Sequence, residues 1–217
     1  MKEATGKLLN LTLSREEMHK VASERVAEIS KEFTDGFKFL EDYPQSVTFF
    51  GSNQVNEDDL YYQSARTLSG RLAKELGYSV VSGGGPGIME AADRGAYEAG
   101  GTSIGLLIKL PHEQPTNGYI TKSISFYYFF ARKVCLAFGA EVFIFFPGGF
   151  GTLDEFFEIL TLIQTKKIAN VPLICVGSEY WNRLKDLMRE KMLERGYIET
   201  EDADLFTITD SHDEIID

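Results

Sequence analysis

Val142-Phe143-Ile144-Phe145-Phe146-Pro147-Gly148-Gly149-Phe150-Gly151-Thr152-Leu153-Asp154-Glu155 joins an apolar run to a glycine loop and then to an amphipathic helix pattern. The run reads as a buried strand, and the loop it carries leads to a helix expected over 152–164. Three glycines leave backbone N–H groups open to an oxyanion, and the helix dipole favours negative charge there. Thr152, Asp154 and Glu155 then place a hydroxyl and two carboxylates in the expected first turn. Carboxylates beside an anion site need a reason, so the segment is a candidate for chemistry as well as for binding.

The same unit recurs outward from this stretch. Strands are expected at 47–50, 79–82, 103–108, 141–146, 171–176 and 205–209, with helices between them. The intervening 109–122, polar and interrupted by Pro111 and Pro115, reads as a loop over the sheet edge, followed by an aromatic-rich helix over 127–138. Strand and helix in this alternation predict an α/β fold, a Rossmann-like doubly wound parallel sheet with helices on both faces. In the strand order 3-2-1-4-5-6 the crevice lies between the strands ending at Phe50 and Phe146, and ligands bind outside the carboxyl ends there. Ahead of the sheet, Ser14-Arg15-Glu16-Glu17 is a capping box opening a long helix that ends near Pro44. The division is thus 1–44, an N-terminal extension with a helix, and 45–217, the Rossmann-like domain.

Composition narrows the functional classes. A net charge of −11 over 217 residues opposes general nucleic-acid or anionic-membrane binding, which need a basic field. No apolar run approaches the roughly 20 residues of a membrane span, and the expected compartment is the cytoplasm. Cys135 and Cys175 lie in apolar surroundings and read as buried thiols. His19, His112 and His212 are scattered without metal-ligand spacing, so no metal is expected.

Ser82-Gly83-Gly84-Gly85-Pro86-Gly87-Ile88-Met89-Glu90 also links a strand to a helix. Neither glycine loop has the G-x-G-x-x-G spacing, and the Lys-Ser/Thr ending of a P-loop is missing, which disfavours the usual NAD and ATP enzymes. Glycines can serve tight turns alone, but two such loops converging on one switch point favour a ligand. On the helix leading into the second loop, Arg132 and Lys133 stand among apolar residues. A desolvated guanidinium needs a carboxylate or a bound anion, and Glu155 is the candidate; a purely structural ion pair is the competing reading.

With these loops and the Arg-Lys pair, the chain resembles the LOG family of cytokinin-activating nucleotide phosphoribohydrolases, whose members long carried the label lysine decarboxylase. The shared signature P-G-G-x-G-T-x-x-E is met in full by Pro147 to Glu155, while the upstream loop departs from the plant pattern at Pro86 and Glu90. The resemblance implies hydrolysis of the N-glycosidic bond of a nucleoside 5′-monophosphate to free base and ribose 5-phosphate, without an organic cofactor, by a homodimer or higher homo-oligomer. It implies catalytic roles for Arg132 and Glu155. It implies substrate binding by Gly84, Gly85, Gly87, Glu113, Lys133, Gly148, Gly149, Phe150, Gly151, Thr152, Leu153, Asp154 and Thr161. A fixed carboxylate suits the positive charge that builds at the anomeric carbon. Two other readings stand beside it: a non-catalytic carrier or sensor of a phosphorylated nucleotide or molybdopterin-like ligand, and a transferase that passes the ribosyl group to a second base.

Overall fold

The computed structural model describes residues 14–109 and 116–217. Helix α1 (Arg15–Leu40) opens with the predicted capping box: the Glu17 N–H donates to Ser14 Oγ, and the Ser14 N–H donates to the Glu17 carboxylate. Its first half is exposed, and its second half docks on the body. Phe37 meets Phe138 at 4.5 Å between ring centroids, and Gly36 is buried against Cys135 and Phe126. The Glu32 carboxylate accepts the Tyr127 and Tyr128 N–H groups at 2.5 and 3.2 Å.

Beyond α1 the chain alternates as the periodicity predicts. The elements are β1 (Ser46–Phe50), α2 (Leu60–Glu75), β2 (Ser79–Ser82), α3 (Ile88–Glu98) and β3 (Ser103–Ile108). There follow β4 (Lys122–Phe126), α4 (Phe129–Phe138), β5 (Val142–Phe145), α5 (Phe150–Gln164) and β6 (Leu173–Cys175). Helix α6 (Ser178–Met188) runs into a π-helical turn at Arg189–Leu193, and β7 (Thr207–Ile208) and α7 (His212–Ile216) close the chain.

The seven strands form one parallel sheet in the order β4-β3-β2-β1-β5-β6-β7. Alternation along the central strands divides the core into two layers. Val47, Phe49, Ile144 and Phe146 pack with α2, α3 and α7, whereas Phe50, Phe143 and Phe145 pack with α1, α4, α5 and α6. Cys135 and Cys175 are free, buried thiols as expected.

Strand β4 corrects the sequence reading, which passed from a loop at 109–122 directly to the helix. It pairs with β3 from Ile104 opposite Lys122 to Ile108 opposite Phe126. An edge strand is covered on one face at most, so Lys-Ser-Ile-Ser-Phe carries only two apolar residues and little hydrophobic signal. The extra strand leaves the centre of the order unchanged, and β1 and β5 remain neighbours at the switch point.

Trp181 is fully buried, meets Phe145 and Phe156, and donates its indole N–H to the Val176 carbonyl at 3.0 Å. Trp181→Ala is expected to lower the unfolding free energy by about 3–5 kcal/mol, read from urea denaturation, because it leaves a large cavity and an unpaired carbonyl.

Candidate active site

Beyond the carboxyl ends of β1 and β5, three loops are tied together by backbone alone. The Ser52 N–H donates to the Pro147 carbonyl at 3.0 Å, and the Ser52 carbonyl accepts the Ile88 N–H at 2.9 Å. The first glycine loop can approach this closely because Gly87 has φ +74° and no side chain; a Cβ there would lie 2.3 Å from the Ser52 oxygen. The loops border a cleft of about 440 Å³ lined by Gly51, Ser52, Asn53, Gly83, Met89, Ile108, Phe129, Arg132, Leu136, Gly149, Phe150, Gly151, Thr152, Asp154 and Glu155, among others.

The second loop delivers a helix terminus into this cleft. Helix α5 begins at Phe150, not at Thr152, and Gly149 at its N-cap supplies no side chain to the terminal amides. The first regular bond of the helix runs from the Leu153 N–H to the Gly149 carbonyl at 3.1 Å. The amides of Phe150, Gly151 and Thr152 are therefore the terminal donors that an anion can take. The earlier start also moves the acids: Asp154 and Glu155 lie in the second turn, where they do not oppose an anion at the N-terminus.

Arg132 and Lys133 project from α4 in different directions. Arg132 Nε donates to the Leu106 carbonyl at 2.7 Å, and its guanidinium rests against Gly83, where a Cβ would come within 2.0 Å of Nη2. Among the described residues no carboxylate lies within ion-pair distance of it. Burial pushes its pKa down, and the field of Glu155 opposes that shift. Glu155, the carboxylate that the sequence offers as its partner, is not ion-paired with it and acts on it through its field alone, so the competing reading of a structural ion pair is not met. A cation held by one carbonyl and otherwise turned toward the cleft can receive an anion.

Lys133 is engaged already. Its Nζ lies 2.8 Å from Asp154 and 2.7 Å from Glu158, and although burial works against its charge, these carboxylates carry its pKa up to about 12. Glu155 is the opposite case. Burial lifts its pKa to about 7 against the pull of Lys133 and Arg132, with Glu158 and Asp154 adding to the rise. A carboxyl poised near neutrality in a cleft can hold or release a proton during a reaction.

Of the residues expected at the site, Arg132, Glu155, Lys133 and Asp154 meet at the cleft with Gly149, Phe150, Gly151 and Thr152. Gly84, Gly85 and Gly87 are buried behind the cleft wall, and Gly83, which is part-buried, is the glycine of that loop that lines the cleft. Gly148 supports the loop from behind, its carbonyl accepting the Tyr180 hydroxyl at 2.8 Å. Leu153 and Thr161 line an adjoining groove on the outer side of α5, with Lys133, Phe157 and Glu158. Glu113 lies outside the described residues. Met89 and Ile108, which line the cleft, were not read from the sequence as site residues, because single apolar residues ending a strand or opening a helix look like core.

The family model described as "possible lysine decarboxylase" matches residues 89–217, a stretch holding Arg132, Lys133, the second glycine loop and Glu155. The chain belongs to this family, the LOG family. Among LOG relatives, a cytokinin riboside 5′-monophosphate phosphoribohydrolase of Rhodococcoides fascians is 28% identical over 158 residues, spanning 71% of this chain and 79% of the relative. The solved structure of TM1055 superposes with a TM-score of 0.60 at 23% identity, covering 79% of this chain and 96% of that one. The molybdenum cofactor carrier protein of Chlamydomonas reinhardtii gives the same TM-score at 22% identity, covering 79% and 93%. At such identities the two structures establish the fold. The decarboxylase description implies pyridoxal phosphate, which needs a lysine amine free to form an imine. Among the described residues, the lysine lining this cleft is Lys133, doubly ion-paired and more basic than usual, so these residues do not fit that group. Among the described residues no cluster of three His, Cys, Asp or Glu side chains is placed to hold a metal ion, and no helix is long and apolar enough to cross a membrane.

Lys133→Met removes a charge that holds the Glu155 pKa down and frees two carboxylates that push it up. The Glu155 inflection, followed by carboxyl ¹³C NMR, is expected near pH 7 in the wild type and higher in the variant. A downward or absent shift contradicts the electrostatic account.

Proposed function

We propose that the protein hydrolyses the N-glycosidic bond of a nucleoside 5′-monophosphate. Family membership supports nucleotide phosphoribohydrolase chemistry at the coarse level. The observation that carries the finer reading is the pairing, within one cleft, of an uncapped helix N-terminus with a half-buried carboxyl of raised pKa. The phosphate takes the amides of Phe150, Gly151 and Thr152, and Arg132 adds a cation on the facing wall. That leaves Glu155, one turn deeper along α5, for the ribose. As the C–N bond breaks, its electron pair leaves with the base, and positive charge grows on the anomeric carbon, where a carboxylate stabilises it. Water supplies the oxygen that bonds to this carbon; its proton passes to Glu155, and the departing base takes up a proton in turn. A carboxyl with a pKa near 7 is suited to both proton states.

Glu155→Gln is expected to lower kcat by about a hundredfold or more, and Arg132→Ala by a similar factor, with both variants folded. Chromatography of free base released from a panel of 5′-monophosphates, including N6-substituted AMP, measures this. Intact monophosphates throughout the panel with wild-type protein would defeat the reading. The sign of the pH dependence follows from the raised pKa. The active carboxylate is lost as pH falls below about 7, so kcat is expected to fall toward acid and to level off above that point. A bound phosphate dianion moves the inflection upward. A ligand carrier makes no use of an acid poised in this way, and a ribosyl transferase would show base exchange when a second base is added.

Self-association is part of the same proposal. Phe150 is 95% exposed at the cleft rim, and it continues into the outer groove formed by Leu153, Phe157 and Leu162. A surface of this kind suits a second copy of the chain. Light scattering is expected to give at least twice the monomer mass of 24.4 kDa, reduced by Phe150→Glu; a monomer across the micromolar range contradicts it.

A further inference from the structure

Asp93, in the second turn of α3, is a buried acid that does not reach the cleft. Its Oδ2 accepts from Ser82 Oγ at 2.7 Å and from Asn117 Nδ2 at 2.7 Å. Both partners grip the first glycine loop. Ser82 Oγ accepts the Gly84 N–H at 2.9 Å, the Asn117 N–H donates to the Gly84 carbonyl at 3.0 Å, and Asn117 Nδ2 donates to the Gly85 carbonyl at 3.0 Å. One carboxylate thereby sets the two side chains that hold the loop from opposite sides. The next residue outward, Gly83, is the one against which the Arg132 guanidinium rests.

We propose that Asp93 is a positioning residue: through Ser82 and Asn117 it fixes the first glycine loop at the height where Gly83 supports Arg132. The catalytic consequence rests on the phosphoribohydrolase reading, whereas the loop placement stands on the contacts themselves. An acid is a costly way to fill core volume, since a buried carboxylate loses its hydration. Here Oδ1 has no hydrogen-bond partner among the described residues, and burial pushes the pKa up to about 7 against the bonds from Asn117 and Ser82, with Glu90 adding to the rise. Of the charges nearby on α3, Glu90 bonds the Tyr62 hydroxyl and Arg94 turns to Glu57 and Glu98. The facing elements, β2 and the stretch before β4, present the neutral Ser82 and Asn117. What Asp93 supplies is one buried oxygen that accepts from two donors at once.

Hydrogen exchange of the 83–89 peptide and kinetics on whichever monophosphate the wild type hydrolyses test this. Asp93→Ala is expected to speed exchange at 83–87 by about tenfold or more, with β1 and β5 unchanged, and to lower kcat by about tenfold with KM within threefold. Asp93→Asn can turn its carbonyl to Ser82 and Asn117, and is expected to restore both readouts to within about threefold. Should the alanine variant fail to fold, Asn117→Ala cuts one of the two grips from a half-buried position and is expected to act in the same direction. A folded Asp93→Ala or Asn117→Ala protein with wild-type exchange at 83–87, or with wild-type kcat, overturns the proposal, as does an asparagine variant no better than alanine. Wild-type protein that hydrolyses no monophosphate refutes the phosphoribohydrolase reading, and the exchange result then decides the placement by itself.

Discussion

The backbone of Ser52 holds the site together. Its N–H belongs to the second glycine loop through Pro147, and its carbonyl belongs to the first through Ile88. Parallel strands at a switch point send their following helices to opposite faces, so the loops above them would otherwise part. One backbone bond across that divergence, to Pro147, and a second that ties in the first glycine loop at Ile88 turn a gap into a walled cleft. Gly87 makes this possible, because only a residue without a side chain can bring α3 this close to Ser52.

Within the cleft, charges are sorted by the partners they already have. Lys133 is neutralised by Asp154 and Glu158, which keeps a cation at the rim without leaving it free. Arg132 is held by a carbonyl alone and keeps its charge turned toward the cavity. Glu155, between these groups but bonded to neither, is left to the consequences of burial. The net result is an uncapped helix N-terminus at the mouth of α5 and, one turn below it, a carboxyl whose pKa burial has raised, the pair on which the proposed function rests. Behind the wall, Asp93 is a second buried acid, and its Oδ2 accepts from Ser82 and Asn117, side chains that bond the first glycine loop.

Much of this was legible in the residues. Helix and strand alternate in the sequence because burial on both faces demands continuous apolar strands, and Val142 to Phe146 could be little else. The capping box at Ser14 and the P-G-G-x-G-T-x-x-E signature are local, so they survive without tertiary context. Strand β4 was not legible, because an edge strand exposes most of its side chains and Lys-Ser-Ile-Ser-Phe looks like a loop. The start of α5 was misplaced by two residues, since glycines at 149 and 151 give no propensity signal for a helix. That small displacement mattered, for it moved Asp154 and Glu155 out of the first turn.

The sequence by itself determined the fold class, the two glycine loops and the candidate pair Arg132 and Glu155, because each is encoded by neighbours within a few residues. Tertiary structure decided which group meets which. Lys133 is separated from Asp154 by 21 residues and from Glu158 by a further turn of α5, and they pair only because α4 and α5 flank the same strand. Asp93, Ser82 and Asn117 come from a helix, a strand and a loop, and nothing local foretells their junction. Protonation followed the same division: a glutamate in the sequence is an ordinary acid, and burial in the fold, with Glu158 and Asp154 nearby, lifts the Glu155 pKa to about 7.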